Sequence, residues 1–293
     1  GNRMSTDRSI VTRIVAAAVL IVGIAACGDD DDTSDEAAEI TPAPETTGAP
    51  ETTAAPETTA APETTTPPAT TSPPPADETA FCEPFQMVSE AFNGNGDPAA
   101  IPGLLDEIAA TAPSAIAGQV DTMVTAARQV VENGFTDFGP TETPEFAEAA
   151  SSVDGWIFEG CPFDATVEVA AGEFQYEGIA STYSSGKTAF RVTNNGAQVH
   201  ELLILRRNDG VTESWDDILV LSEEEGMRVA SVSGATFVPS TGSQGVLIAT
   251  LTPGDYVAVC FIPDGTLLVD GEFVEGEGQP HFMLGMRSEF TVT

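Results

Sequence analysis

Positive charge is scarce in this chain. Ten Lys and Arg residues stand against 46 Asp and Glu, for a formal net charge of −36. A surface so acidic repels a phosphate backbone, which excludes nucleic acid as a partner. It repels an anionic membrane surface as well, so attachment to a membrane calls for a covalent device. Histidine is scarcer still, with two copies, His200 and His281. His200-Glu201 opens like a zinc-protease helix motif, but Ile204 stands where the second histidine is required. No glycine-rich phosphate loop opens a helix, and no nucleophile elbow presents a serine. The many carboxylates read as a solvated surface, so catalysis is not indicated. Near the N-terminus the apolar run Ile14–Ala26 is too short to span a bilayer as a mature helix.

That run follows Arg8 and Arg13, and its length and flanks are those of a signal peptide over residues 1–26. It ends in Ile24-Ala25-Ala26-Cys27, which resembles the bacterial lipobox. The resemblance implies cleavage before Cys27 and a diacylglycerol on its sulfur. The protein would then be extracytoplasmic, lipid-anchored to the outer face of the cell membrane. Residues 27–79 hold thirteen acids and no base, from the aspartate block Asp29–Asp32 onward. Ala-Pro-Glu-Thr-Thr recurs from Ala43, Ala49, Ala55 and Ala61, and Thr64–Pro75 is almost wholly Thr and Pro. Such a composition cannot bury a core and predicts a disordered stalk, stiffened toward polyproline II. At roughly 3.1 Å per residue it would reach on the order of 150 Å when extended, a spacer through a cell wall.

From residue 80 the apolar period is helical. Phe81, Phe85, Val88 and Phe92 make one stripe, and Ile101, Leu104, Leu105 and Ile108 a second. Ile116, Val120, Met123, Val124, Ala127 and Val131 make a third, closed by Gly134. Phe146, Val153 and Ile157 make a fourth, opened by Thr143-Pro144, just as Asp97-Pro98 opens the second. The reading is a small four-helix domain over 80–162. Four cysteines are present, Cys27, Cys82, Cys161 and Cys260, and an oxidising compartment permits a disulfide. With Cys27 lipidated, one pair and one free thiol is the simplest arithmetic. Cys82 begins the first helix and Cys161 follows the fourth. Helices alternating up and down return the chain to its starting end, which predicts a Cys82–Cys161 bridge stapling a marginal core.

Beyond Ala165 the period becomes two. Strands are expected over 166–170, 174–179, 188–193, 199–205, 245–251, 254–261 and 288–292. Ser214-Trp215-Asp216-Asp217 and Ser222-Glu223-Glu224-Glu225 read as capped starts of two short helices. The fold class expected is α + β: the helical domain, then an antiparallel Greek-key β-sandwich over 165–293 with a helical insertion.

This β part holds both histidines, the left-over Cys260 and, five residues past His281, Met286. Two imidazoles, one thiolate and a weak thioether are the donor set of a blue-copper site. The placement supports the inventory. Asn194-Asn195-Gly196 leads to His200, resembling the first-ligand segment of the cupredoxin family. Pro253–Cys260 resembles the strand that delivers its cysteine ligand, and Cys260-Phe261-Ile262-Pro263 the azurin-like start of its ligand loop. The spacing from His281 to Met286 matches that family's second histidine and axial methionine. The resemblance covers residues 165–293 and implies one type 1 copper held by His200, Cys260, His281 and Met286, in an electron carrier or copper-binding protein with a redox partner. The helical and β parts together also look like a type of actinobacterial lipoprotein.

The chain departs from the family in the long interval Asp264–Pro280 between Cys260 and His281. Thr266–Val274 reads as a hairpin turning at Asp270-Gly271, and a hairpin returns the chain close to where it left. Two histidines are too few for a multicopper oxidase or a copper nitrite reductase, and one thiolate is too few for a binuclear oxidase-type centre. Two alternatives stay open on the sequence. Met283 competes with Met286 as the thioether, and the β part also reads as a metal-free surface module for a protein or cell-wall partner.

Overall fold

Four α-helices precede the strands. In the computed structural model, which describes residues 78–92, 95–269 and 271–293, they are α1 (Cys82–Phe92), α2 (Ile101–Thr111), α3 (Ala117–Glu132) and α4 (Pro144–Gly160). The segment expected to be a signal peptide, Cys27, the expected stalk up to residue 77 and the turn residue Asp270 lie outside the described residues, while Glu78 and Thr79, at the end of that expected stalk, open a 3-10 turn Glu78–Phe81. Helix starts are set by side chains that satisfy otherwise free amide N–H groups. Asp97 accepts from the Ala99 N–H in the 3-10 turn ahead of α2, and Thr143 accepts from the Phe146 N–H with Pro144 at the first helical position. In α3 the inward residue of the last turn is Val130, fully buried, while Val131 is half-buried.

Cys82 and Cys161 are joined in a disulfide, their Cα atoms 5.7 Å apart. Phe81, next to Cys82, packs on Trp156 of α4 with ring centroids 5.7 Å apart, a second contact between the start of α1 and α4. The helices do not complete their core alone. Ala189, Val246 and Ile248, all from strands, belong to the same apolar cluster as Ile101, Leu105, Val124 and Val153. The buried carboxylate of Asp154 in α4 accepts the Val246 N–H at 3.1 Å. The helical layer thus lies on a sheet, and the described residues fall in one compact unit.

The strands are β1 (Ala165–Gly172), β2 (Gln175–Glu177), β3 (Thr182–Tyr183), β4 (Gly186–Asn194), β5 (His200–Arg207), β6 (Ala230–Val238), β7 (Gln244–Leu251), β8 (Gly254–Val259), β9 (Leu267–Val269), β10 (Glu272–Val274) and β11 (Arg287–Val292). One sheet has the order β2-β1-β4-β7, a second β3-β11-β8-β5-β6, and β9 and β10 form a separate two-stranded ribbon. Pairing is mixed rather than antiparallel throughout, because β1 runs parallel to β4 and β11 parallel to β3. Phe190, Leu202, Ile204, Leu247, Val257 and Phe290 are among the buried residues of the β core.

Strand β6 has no counterpart in the sequence reading. Ala-Ser-Val-Ser-Gly alternates weakly, and the chain forms a strand there because β5 offers it a free edge. The register between the two shifts at Ile204/Leu205. The insertion ahead of β6 forms α5 (Trp215–Ile218) and α6 (Glu223–Val229), each capped by the expected serine. Ser222 and Glu225 complete a reciprocal capping box.

Candidate metal centre

Strand β5 begins at His200 and lies between β8 and β6, so its first six residues are all buried. The approach to it is fixed by Asn194, itself fully buried. Its amide donates to the carbonyls of Gln198 (2.7 Å) and Val238 (2.8 Å), and its side-chain oxygen accepts the Gly196 N–H. Residue 196 must be glycine, for a Cβ there would stand 2.7 Å from His200 Nε2 and 2.5 Å from a Glu173 carboxylate oxygen. The Asn-x-Gly turn therefore places the histidine, and only a bare backbone leaves room for the imidazole.

Cys260 follows the end of β8, and Met286 precedes the start of β11. The antiparallel ladder between those strands ends at Arg287↔Val259, and the Cys260 N–H donates to the Met286 carbonyl at 3.2 Å in the next step. His281 is returned to this point by a clasp. Pro263 and Pro280 form an antiparallel bridge, the Asp264 N–H donates to the Gln279 carbonyl, and the His281 N–H donates to the Ile262 carbonyl. Gly276 lets the returning strand pass the Asp264 carbonyl, which a side chain at that position would run into. The long interval between Cys260 and His281 closes on itself, and β9 and β10 pair within it as the expected hairpin, with Gly271 in the left-handed region at φ 88°.

The result is a convergence of donors. His281 Nδ1 lies 3.4 Å from Cys260 Sγ and 3.2 Å from His200 Nδ1. One donor atom from each of the three residues lies within 4.8 Å of the others. His200, Cys260, His281 and Met286 are all fully buried, and Cys260 is a free thiol. Met283, the competing thioether, is 53% exposed, so its side chain is spent on the surface.

The surroundings prepare these atoms for a soft cation. Gln198 Oε1 lies 3.3 Å from His281 Nε2, which places the ring proton on Nε2 and leaves the Nδ1 lone pair free. Phe174 crosses the same ring edge-on, with centroids 5.1 Å apart, and holds a left-handed φ of 61° to do so. His200 Nε2 has no hydrogen-bond partner among the described residues, with Glu173 Oε1 4.0 Å away. Burial lowers both imidazole pKa values, and His200 beside His281 helps take the latter to about 4. Both rings are therefore neutral at physiological pH. Burial pushes the Cys260 thiol well up, with the charge of Glu201 adding to it. Two imidazole nitrogens and a sulfur are thus crowded together in a buried setting, with backbone N–H groups of Glu201 and Ile262 turned toward the sulfur. A cation that takes all three resolves that crowding. The donor set, two neutral imidazoles, one thiol and a buried methionine, fits a type 1 copper site.

Three residues of this site escaped the sequence reading. Glu201 is buried next to His200 and accepts the Phe261 N–H at 2.6 Å, tying the first-ligand strand to the residue after Cys260. Burial raises its pKa to about 7. The signal was available as a carboxylate opening an apolar strand, Glu-Leu-Leu-Ile-Leu. Gln198 and Glu173 act through loop contacts, and nothing in their local sequence marks them.

No family model matches this chain, and no curated protein matches it in sequence. Among solved structures, reduced auracyanin from the photosynthetic bacterium Roseiflexus castenholzii is 20% identical over 44% of this chain and 96% of its own, with a TM-score of 0.30. Reduced rusticyanin is 16% identical over 44% and 79%, TM-score 0.26. A multicopper oxidase is 12% identical over 45% of each chain, TM-score 0.25. At such scores the likeness adds nothing to the case, which rests on the donor geometry.

Proposed function

We propose that this chain is a membrane-anchored, extracytoplasmic blue-copper protein of cupredoxin type, which carries single electrons or holds copper. The observation that carries the reading is the buried meeting of His200 Nδ1, His281 Nδ1 and Cys260 Sγ, with Met286 pinned to Cys260 through the backbone. Copper bound there supplies a one-electron couple with strong thiolate character. The chain does the remaining work. Its low imidazole pKa values keep both nitrogens unprotonated, Gln198 orients one ring, and Glu201 clamps the loop that follows Cys260. Cys260, held as a thiol by its raised pKa, would give up its proton to bind a cation, so loading would release about one proton per ion near neutral pH. The two sheets are read as a Greek-key sandwich, and anchoring rests on the Ile24–Cys27 segment with its spacer.

The experiment is addition of Cu(II) to the purified metal-free protein. An intense visible thiolate-to-copper band at one equivalent is expected, and its loss in Cys260→Ala. No copper uptake, and so no band, overturns the reading. The metal-free surface module for a protein or cell-wall partner then replaces it.

A further inference from the structure

The hairpin β9–β10 is apolar on both sides. Leu268 and Phe273 face each other across it and are half-buried, with Phe273 packed against the β core. The alternate positions point the other way. Leu267 and Val274 form a cross-strand pair that is 39% and 50% exposed, and Val269, opposite Glu272, is 46% exposed. A two-stranded ribbon has no structural need for three outward aliphatic side chains, and such a patch marks a contact surface. Around it the charge is of one sign. Glu272, Glu275 and Glu277 are exposed and Asp264 is half-buried. No Lys or Arg occurs between Arg228 and Arg287. The arginines elsewhere among the described residues are each in an ion pair, namely Arg128, Arg191, Arg206, Arg207, Arg228 and Arg287.

This ribbon is also wired to the metal centre. His281 is fully buried, so no partner can touch its ring. Gln198 Oε1, which lies 3.3 Å from His281 Nε2, also accepts the Gly265 N–H. The Val199 N–H donates to the Thr266 carbonyl at 3.0 Å. Gly265 and Thr266 lead directly into Leu267. One amide oxygen therefore connects a ligand ring with the base of the exposed hairpin.

Charge decides among the occupants. The stalk of this chain, with thirteen acids and no base, is repelled by the carboxylate rim. So are a second copy, at a net charge of −36, and an anionic lipid surface. What remains attracted is a surface that is apolar at its centre and ringed by Lys or Arg. We infer that the outward face of the β9–β10 hairpin, centred on Leu267, Val269 and Val274, is the docking surface for a cationic redox protein, reached from His281 through Gln198 and Gly265. The inference rests on the electron-carrier reading and names its partner by class. The transfer is one electron between the copper couple of this chain and the one-electron centre of the partner. One is oxidised as the other is reduced, and no bond or proton changes hands.

The test uses a basic c-type cytochrome as probe and an acidic one as control. The metal-free protein, labelled for NMR, is titrated with each. Shift changes clustered on Leu267, Val269, Val274 and Glu272 with the basic probe, and none with the acidic one, are expected. Absence of that cluster overturns the docking surface whether or not copper binds. In the copper-loaded protein, Leu267→Ser with Val274→Ser lowers the second-order electron-transfer rate with the basic probe by roughly tenfold, since partner encounter within one interface varies by one to three decades. The blue band and the rate with a small neutral metal complex stay unchanged. Equal rates for the variant and the parent overturn the proposal. A protein that never develops the blue band while the shift cluster persists sinks the electron-carrier reading and leaves the docking surface standing.

Discussion

Asp154 allows a calculation remote from the metal. It is 4% exposed on α4, and its carboxylate accepts one hydrogen bond, from the Val246 N–H of β7. Burial raises its pKa from 3.8 to about 7, against the opposing pull of that N–H. Below pH 3.8 both folded and unfolded chains hold the proton, and the group contributes no pH dependence. Between 3.8 and about 7 the folded chain alone holds it, so stability falls as pH rises. Above pH 7 both states are ionised and the full cost is present. At about 1.4 kcal/mol per pH unit that cost approaches about 4 kcal/mol. Asp154→Asn keeps an acceptor for Val246 and removes the charge. Whatever constant its amide adds, the pH-dependent part should vanish. Thermal melts of the metal-free proteins from pH 4 to pH 8 should therefore diverge. The variant should gain on the parent as pH rises, by on the order of 10 °C across the range for a unit of this size. The titrations of the metal-site residues are common to both proteins and cancel in the difference. Parallel melting curves over that range would refute the assignment of a raised, buried carboxyl at Asp154.

Met286→Leu should retain copper and its blue colour while shifting the reduction potential measured by voltammetry, because a weak axial donor tunes the couple more than it holds the ion. Gln198→Leu removes the acceptor for His281 Nε2 and should weaken copper binding by about 10–100-fold in a competition titration, with the fold unchanged by circular dichroism. Replacing Cys82 and Cys161 by serine opens a link across a sequence separation of 79 and should cost about 4 kcal/mol in denaturant unfolding. Cys27→Ser should move the protein from the membrane fraction to the soluble one. An unchanged distribution, with no lipid on the parent by mass spectrometry, would rule out the anchor.

The metal centre was legible in the sequence because its donors are rare residue types. With two histidines and one unpaired cysteine, the inventory left little choice, and the Asn194-Asn195-Gly196 turn and the Cys260–Pro263 segment located them on the fold. Helix spacing and the capping residues Asp97, Thr143 and Ser222 were equally local, and so could be read directly. What was hidden depends on distant neighbours. Strand β6 exists because β5 leaves an edge beside it, which the pattern of Ala230–Val238 does not announce. That the helices rest on Ala189, Val246 and Ile248 follows from a second apolar face on a sheet whose strands read as one-sided. Gln198 and Glu173 became informative only when loops far apart in sequence met over His200 and His281. Buried Glu201 was visible but was weighed only as part of a failed zinc motif.

The Pro263–Pro280 clasp separates two tasks that a short ligand loop must combine. Backbone contacts at the mouth of the insertion set where Cys260 and His281 stand, so the length and sequence of what projects beyond the mouth are released from that duty. A shorter turn, or a different hairpin, could be spliced between Thr266 and Gly276 without disturbing the placement of the donor atoms, because Thr266 keeps its bonds to Val199 and Gly276. On the docking proposal above, exchanging the hairpin would redirect the site to a different partner while the arrangement of His200, Cys260 and His281 stays as it was.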